Sequence, residues 1–148
     1  MIAVGHIEEE LALLRKICEH GFYEYSNPLE SFRACTTLHF SGVKRQERYG
    51  VYVVRQRDTK EILYIGRSGT IDSQGQFKGQ DIPERLKNVK AGDVLADKWF
   101  RELLQEKGPL TIEYIFLSKS KSPAFVEAVL LQSYLNAHYR LPCRNKSL

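Results

Sequence analysis

Two runs of alternating β-branched and aromatic residues, 49–55 and 61–66, flank the polar segment Gln56-Arg57-Asp58-Thr59-Lys60. Such a pattern closes into an antiparallel β-hairpin, here with a five-residue loop. Pairing Arg55 with Glu61 sets Tyr52 directly opposite Tyr64 and puts both phenols on one face of the sheet. A slip by one residue would send them to opposite faces, so the register is a sharp expectation. Paired hairpin tyrosines more often pack than react, and alone they assign no function.

The rest of the chain predicts helices around that hairpin and one more strand. Apolar Leu11, Leu13, Leu14, Ile17 and Cys18 recur at helical spacing within 8–20, and Gly21 is a natural stop. Residues 22–47 show neither period and read as irregular. The polar stretch 66–81, with Gly69, Gly75 and Gly79, reads as a loop. Pro83 opens a short helix through about residue 90, and a second helix spans 95–107, where Leu95, Trp99 and Leu103 form a stripe that reads as core. Residues 110–117 read as a third strand. Ser122-Pro123 supplies an N-cap and a first-turn proline for a last helix to about residue 139, which Pro142 keeps from continuing. The expected class is α+β: a three-stranded antiparallel sheet flanked by helices, preceded by a helical and irregular extension over 1–48.

A length of 148 residues suits one domain, and 43% apolar with 27% charged residues supports a packed core while excluding disordered, collagenous and coiled-coil chains. A net charge of +4 admits polyanionic partners without requiring them. Cys18, Cys35 and Cys143 are an odd set with no C-x-x-C spacing, which suggests neither a disulfide framework nor a zinc knuckle and fits a reducing compartment. No apolar run approaches the length of a membrane span and residues 1–10 are acidic, so the reading is a cytoplasmic protein with no membrane association.

In the last helix Phe125, Val126, Ala128, Val129, Leu130, Leu131 and Leu135 leave almost no polar side, so it is expected to be covered on most sides. Glu127 sits among them, and a carboxylate there requires a cation, a metal or hydrogen-bond donors. A structural salt bridge would satisfy it as well as a metal would. Arg85, in the first turns of its helix, suits a phosphate or a nearby acid equally. Lys44, Arg45 and Arg48 form a basic run that fits a nucleic-acid backbone or a solvated face. Gly66-Arg67-Ser68-Gly69 lacks the Lys-Ser/Thr of a P-loop, and His6, His20 and His39 lack zinc spacing.

Taken in order, Gly50-Val51-Tyr52, Tyr64-Ile65-Gly66, Arg85, Glu127 within its apolar helix and Asn145 after Pro142 resemble the motifs of the GIY-YIG nuclease superfamily. The likeness spans 49–146 and leaves residues 1–48 outside it. It implies a nuclease domain over 49–148 that hydrolyses phosphodiesters, in DNA in preference to RNA, with a single Mg²⁺ or Mn²⁺ ion. By that resemblance Glu127 is the metal ligand and Tyr52 orients or deprotonates the attacking water, for which a phenol pKa near 10 would have to fall. Tyr64 then bonds the water or phosphate, Arg85 clamps the phosphate, and Asn145 fixes the geometry of the site.

One position departs from the pattern. Relatives commonly carry His or Tyr four residues after the arginine, where this chain has Val89, which can neither donate nor accept a hydrogen bond. Lys60, Arg67, Lys78 and Lys87 are candidates to replace it, and the sequence does not choose among them. The interval from Tyr64 to Arg85 is also longer than the common family spacing. Both departures motivate the alternative of a nucleic-acid-binding module that keeps the fold without turnover. A protein-interaction domain is a weaker third reading. Double-strand cutting would favour a homodimer, since one centre cuts one strand.

Overall fold

The computed structural model describes residues 6–88 and 95–148. Val89 and the expected end of its helix lie outside the described residues. The elements run α1 (Ile7–Ile17), β1 (His20–Tyr25), α2 (Phe32–Ser41), β2 (Gly50–Gln56), β3 (Ile62–Ser68), β4 (Thr70–Ile71), β5 (Phe77–Lys78), α3 (Ile82–Lys87), α4 (Ala96–Lys107), β6 (Leu110–Phe116) and α5 (Pro123–His138). The class is α+β, with a four-stranded antiparallel sheet in the order β1-β6-β2-β3 and a separate two-stranded β4-β5 ribbon.

The sheet therefore has four strands where three were expected, because residues 22–47 are not irregular. In β1 Tyr23 and Tyr25 are buried while His20, Phe22 and Glu24 are not, the period-two pattern of a half-buried strand. The expected run of α1 through residue 20 stops at Ile17, and Gly21 lies inside β1. In α2 the buried residues are Phe32, Thr36 and Phe40, each four apart, behind an N-cap at Ser31 whose Oγ accepts from Ala34 N at 3.2 Å. Asp97 of α4 binds this same helix start, accepting from Ser31 Oγ at 3.0 Å and from Arg33 N at 2.8 Å.

Two cores flank the sheet. One joins Tyr52, Val54, Ile112, Tyr114 and Phe116 to α2, α3 and α4, and includes Phe32 stacked on Phe100 at 3.6 Å between ring centroids. The other joins Val51, Val53, Ile65 and Ile115 to α1 and α5 through Ile7, Leu11, Val126 and Leu130. Burial of each such aliphatic or aromatic side chain contributes about 1.5–3 kcal/mol, so α1, β1 and α2 share their packed cores with β2, β3, β6, α3, α4 and α5.

The hairpin register differs from the expectation by two residues. Gln56 N donates to Glu61 O at 2.9 Å, which draws Gln56 into the ladder, and a bulge after Val54 leaves Leu63 without a partner in β2. Each feature shifts the pairing by one, so Tyr52 lies opposite Gly66 and Val54 opposite Tyr64. Two single shifts restore the side-chain face: Tyr52 and Tyr64 are diagonal neighbours on one face, with centroids 6.0 Å apart.

The stretch 66–81 is likewise more ordered than a loop. It carries the end of β3 and the β4–β5 hairpin, whose turn is closed by Asp72 Oδ1 accepting from Gln74 N and Gln76 N at 2.9 and 3.0 Å. Coverage of α5 is the last correction. Its inward face buries Val126, Leu130, Leu131 and Tyr134, but Ala124 and Ala128 are exposed and Phe125 is 68% exposed. Leu95, assigned to the core stripe, caps α4 and is 66% exposed.

Candidate active site at the β3 edge

The middle of the sheet carries a row of directly paired residues, Gly21 in β1, Tyr114 in β6, Tyr52 in β2 and Gly66 in β3. The two tyrosines lean away from each other over the glycines. A methyl group at Gly66 would lie 2.4 Å from Tyr52 Cζ, so the absent side chain is what allows the phenol to lie across the edge strand. Tyr52 is only 1% exposed, yet its hydroxyl reaches Tyr64, which is half-buried, in a hydrogen bond that holds the Tyr52 proton.

Around this edge the chain assembles residues from four elements. Arg85 stands on α3, which is started by Asp81, an N-cap accepting from Glu84 N at 3.1 Å and ion-paired with Arg48 at 3.3 Å. Glu127 stands in the first turns of α5, started by Ser122 and Pro123, on the helix that covers the opposite face of the sheet. Arg67 follows Gly66 and shares the side of the sheet occupied by Ile65, and its Nε lies 3.5 Å from Glu127 Oε1. Tyr52 and Tyr64 feel the charges of both Arg85 and Glu127, and Glu127 feels Arg67 and Arg85. Tyr52, Tyr64, Arg85 and Glu127 are therefore brought together, with Arg67, one of the four cations the sequence left open, as a fifth member.

Asn145 approaches β3 from outside. Its amide donates Nδ2–H to Ile65 O and accepts from Ile65 N, both at 2.9 Å, while Arg144 N donates to Leu63 O at 2.9 Å. The side chain acts as one residue of an added strand, satisfies an otherwise open sheet edge and holds the backbone on either side of Tyr64.

Burial pushes the Tyr52 phenol well above its ordinary value, and Tyr64, with Arg85 opposing, moves up for the same reason. Burial also raises the Glu127 carboxyl, against the lowering pull of Arg67 and Arg85. The depression that proton abstraction by Tyr52 would need is thus reversed, and at neutral pH Tyr52 keeps its proton.

Between Arg67, Arg85 and the β4–β5 ribbon lies a cavity of about 220 Å³ lined by side chains of which none is acidic. The basic run 44–48 faces elsewhere in its bonding: Arg45 pairs with Glu19 at 2.8 Å and sits over the Phe116 ring at 5.4 Å, and Arg48 is held by Asp81. Among the described residues no cluster of three His, Cys, Asp or Glu side chains is present, so a zinc-type cage has no donor set. Glu127, a single half-buried carboxylate whose ion-pair partner Arg67 lines this cavity, does fit Mg²⁺ or Mn²⁺, hard ions that bind through one or two carboxylates and keep several waters. No helix among the described residues is long and apolar enough to cross a membrane.

No family model, curated protein or solved structure matches this chain.

Proposed function

We propose that the β3 edge is the active centre of a metal-dependent endonuclease that hydrolyses phosphodiesters, DNA in preference to RNA, in the manner of the GIY-YIG nucleases. The observation that carries this reading is that Tyr52, Tyr64, Arg85 and Glu127, delivered by β2, β3, α3 and α5, stand close enough for their charges to act on one another, with Arg85 also lining the cationic cavity. Separate elements seldom deliver two phenols, a guanidinium and a carboxylate to one point for packing alone.

Glu127 would hold the Mg²⁺ or Mn²⁺ ion, which when bound supplies charge stabilisation at the leaving oxygen. Arg85 grips a non-bridging oxygen of the scissile phosphate through its planar donors and offsets the charge gained in the transition state. Tyr64, the more accessible phenol, donates to or accepts from the attacking water. Tyr52 fixes the orientation of Tyr64 from beneath, its proton kept in place by burial. Arg67 pairs with the Glu127 carboxylate at 3.5 Å and opposes the upward pull of burial on it. Asn145 keeps the Tyr64 segment of β3 in register. Cutting both strands of a duplex would take a second copy of the chain, since this arrangement provides one centre.

Cleavage of end-labelled single-stranded, duplex and branched DNA with Mg²⁺ or Mn²⁺ tests the reading. Metal-dependent products, abolished by chelator and by Glu127→Gln, are expected. Binding of DNA without products in any metal would instead assign the fold to a non-cleaving nucleic-acid module, the reading favoured by the Val89 position.

A further inference from the structure

Resting on that reading, we propose that the β4–β5 ribbon builds a second phosphate subsite, in which Lys78 holds an internal phosphodiester of the strand next to the one gripped by Arg85. The cavity beside Arg85 is walled on its far side by the ribbon, through Gly69, Thr70, Lys78 and Gly79. Lys78 is exposed and makes no ion pair within 4 Å among the described residues, whereas Arg67 across the cavity is shared with Glu127. Thr70 adds a hydroxyl donor on the same wall. Gly69 and Gly79 take φ values of +77° and +87°; the absent side chain of Gly69 admits the Tyr49 ring, while Gly79 leaves main chain bare on the wall.

The ribbon is held rather than left to move. Tyr49 stacks on Phe77 at 4.8 Å and donates its hydroxyl to Gly79 O at 3.3 Å, tying β5 to the residue that begins the central hairpin. Lys119 Nζ donates to Gln76 Oε1 at 2.7 Å from the loop before α5. The position of Lys78 is therefore fixed relative to Arg85 and Glu127 by contacts on both sides. A compact ammonium on a fixed ribbon suits point-charge capture of phosphate, and such a contact positions the strand without reading its sequence. Among the cations the sequence had left as alternatives at the Val89 departure, the cavity selects Lys78 for substrate binding and Arg67 for Glu127.

The test is equilibrium binding of fluorescent oligodeoxynucleotides in chelator, with salt varied, followed by single-turnover cleavage in Mn²⁺, for wild type, Lys78→Ala, Lys78→Gln, Glu127→Gln and the exposed control Lys98→Ala on α4. Both Lys78 variants should bind roughly tenfold more weakly for any sequence, and the slope of log affinity against log salt should fall by about 0.7 for single strands or about 0.9 for duplex. At saturating protein their cleavage rate should stay within about threefold of wild type, as expected for uniform binding. Lys98→Ala should change nothing, and Glu127→Gln, which frees Arg67 and removes a negative charge, should bind no more weakly than wild type. Unchanged affinity and slope in both Lys78 variants overturn the subsite. Dependence on Lys78 seen only with 5′-phosphorylated ends, and absent with 5′-hydroxyl strands, also overturns it, since the ligand would then be a terminal phosphate. A wild type that binds with Lys78 dependence but never cleaves keeps the subsite and removes the nuclease reading. A wild type that binds no nucleic acid at low salt removes both.

Discussion

The two ends of the cross-sheet row use one steric device for different chemistry. At the β1 end Tyr114 lies over Gly21, where a methyl group would come within 2.4 Å of its Oη, just as Tyr52 lies over Gly66. Tyr114 ends on His39 Nε2 at 2.7 Å, inside a cluster of packed rings in which Tyr23 stacks on His39 and Phe40 lies tilted against Tyr114. Burial holds His39 below its ordinary value, so this end is a neutral hydrogen bond between aromatic groups. At the β3 end the phenol leads to Tyr64, Arg85 and Glu127 beside a cationic cavity. A phenol over a glycine therefore does not mark a site. The charged groups gathered at its tip do.

The contrast is broken most severely by Glu127→Gln. Loss of the carboxylate should lower metal-dependent cleavage by about 10³-fold or more, a loss of several kcal/mol from the transition state. His39→Ala at the other end should leave the cleavage rate unchanged. Because the Glu127 carboxyl is raised in the fold, its contribution to stability declines as pH climbs from the unfolded pKa through the folded one. Without metal, Glu127→Gln should consequently melt no lower than wild type at pH 8, as read by calorimetry.

Tyr52→Phe is the next largest effect. It keeps the ring over Gly66 and removes only the proton donated toward Tyr64, so cleavage should fall about 10²-fold with little change in DNA affinity. Tyr114→Phe should not alter the rate at all.

Adding one methyl to either glycine sharpens the comparison. Gly66→Ala and Gly21→Ala should each destabilise the protein by about 1–3 kcal/mol through overpacking against a phenol. Chemical denaturation would measure the shared cost, and a parallel rate assay should show that only Gly66→Ala also impairs cleavage.

Arg67→Ala gives a subtler signal. Removing the nearest cation leaves burial less opposed at Glu127, so the acid limb of the pH–rate profile should move to higher pH. An acid limb that stays in place would disconnect Arg67 from the carboxylate. The smallest expected change is the stability of Tyr114→Phe, about 1 kcal/mol for the one hydrogen bond lost to His39, which is itself only partly buried.

Much of the fold was legible because caps and breakers are local. Ser122-Pro123 and Pro83 start their helices, and residue 107 ends α4, within a residue or two of the expectation. What the sequence concealed was nonlocal. β1 is short, and its aromatics answer to β6, ninety residues away by chain, so alternating Tyr23 and Tyr25 looked like loop composition. α2 carried a usable signal, Ser31 followed by Phe32, Thr36 and Phe40, but a threonine at a buried position obscured the apolar stripe. The outward face of α5 could not be told from its inward one because both are apolar.

At the candidate site, the juxtaposition of Tyr52 and Tyr64 followed from period-two alternation, although the pairing itself did not, since the bulge at Leu63 left no mark in the sequence. Glu127 stood out as a charge among apolar neighbours. Arg67 was only one of four cations between which the sequence did not choose, because its partner lies about sixty residues further along the chain. The raised Tyr52 phenol was equally hidden, being a consequence of depth in a core that only the fold creates.

The most direct measurement is nicking of supercoiled plasmid in Mn²⁺ by wild type, Glu127→Gln and His39→Ala, each first checked for a cooperative melt. Metal-dependent nicking by wild type and His39→Ala, absent in Glu127→Gln and in chelator, is the result expected if the β3 end of the row is the hydrolytic centre. Equal nicking by Glu127→Gln, or no nicking by a folded wild type that binds the plasmid, would contradict it.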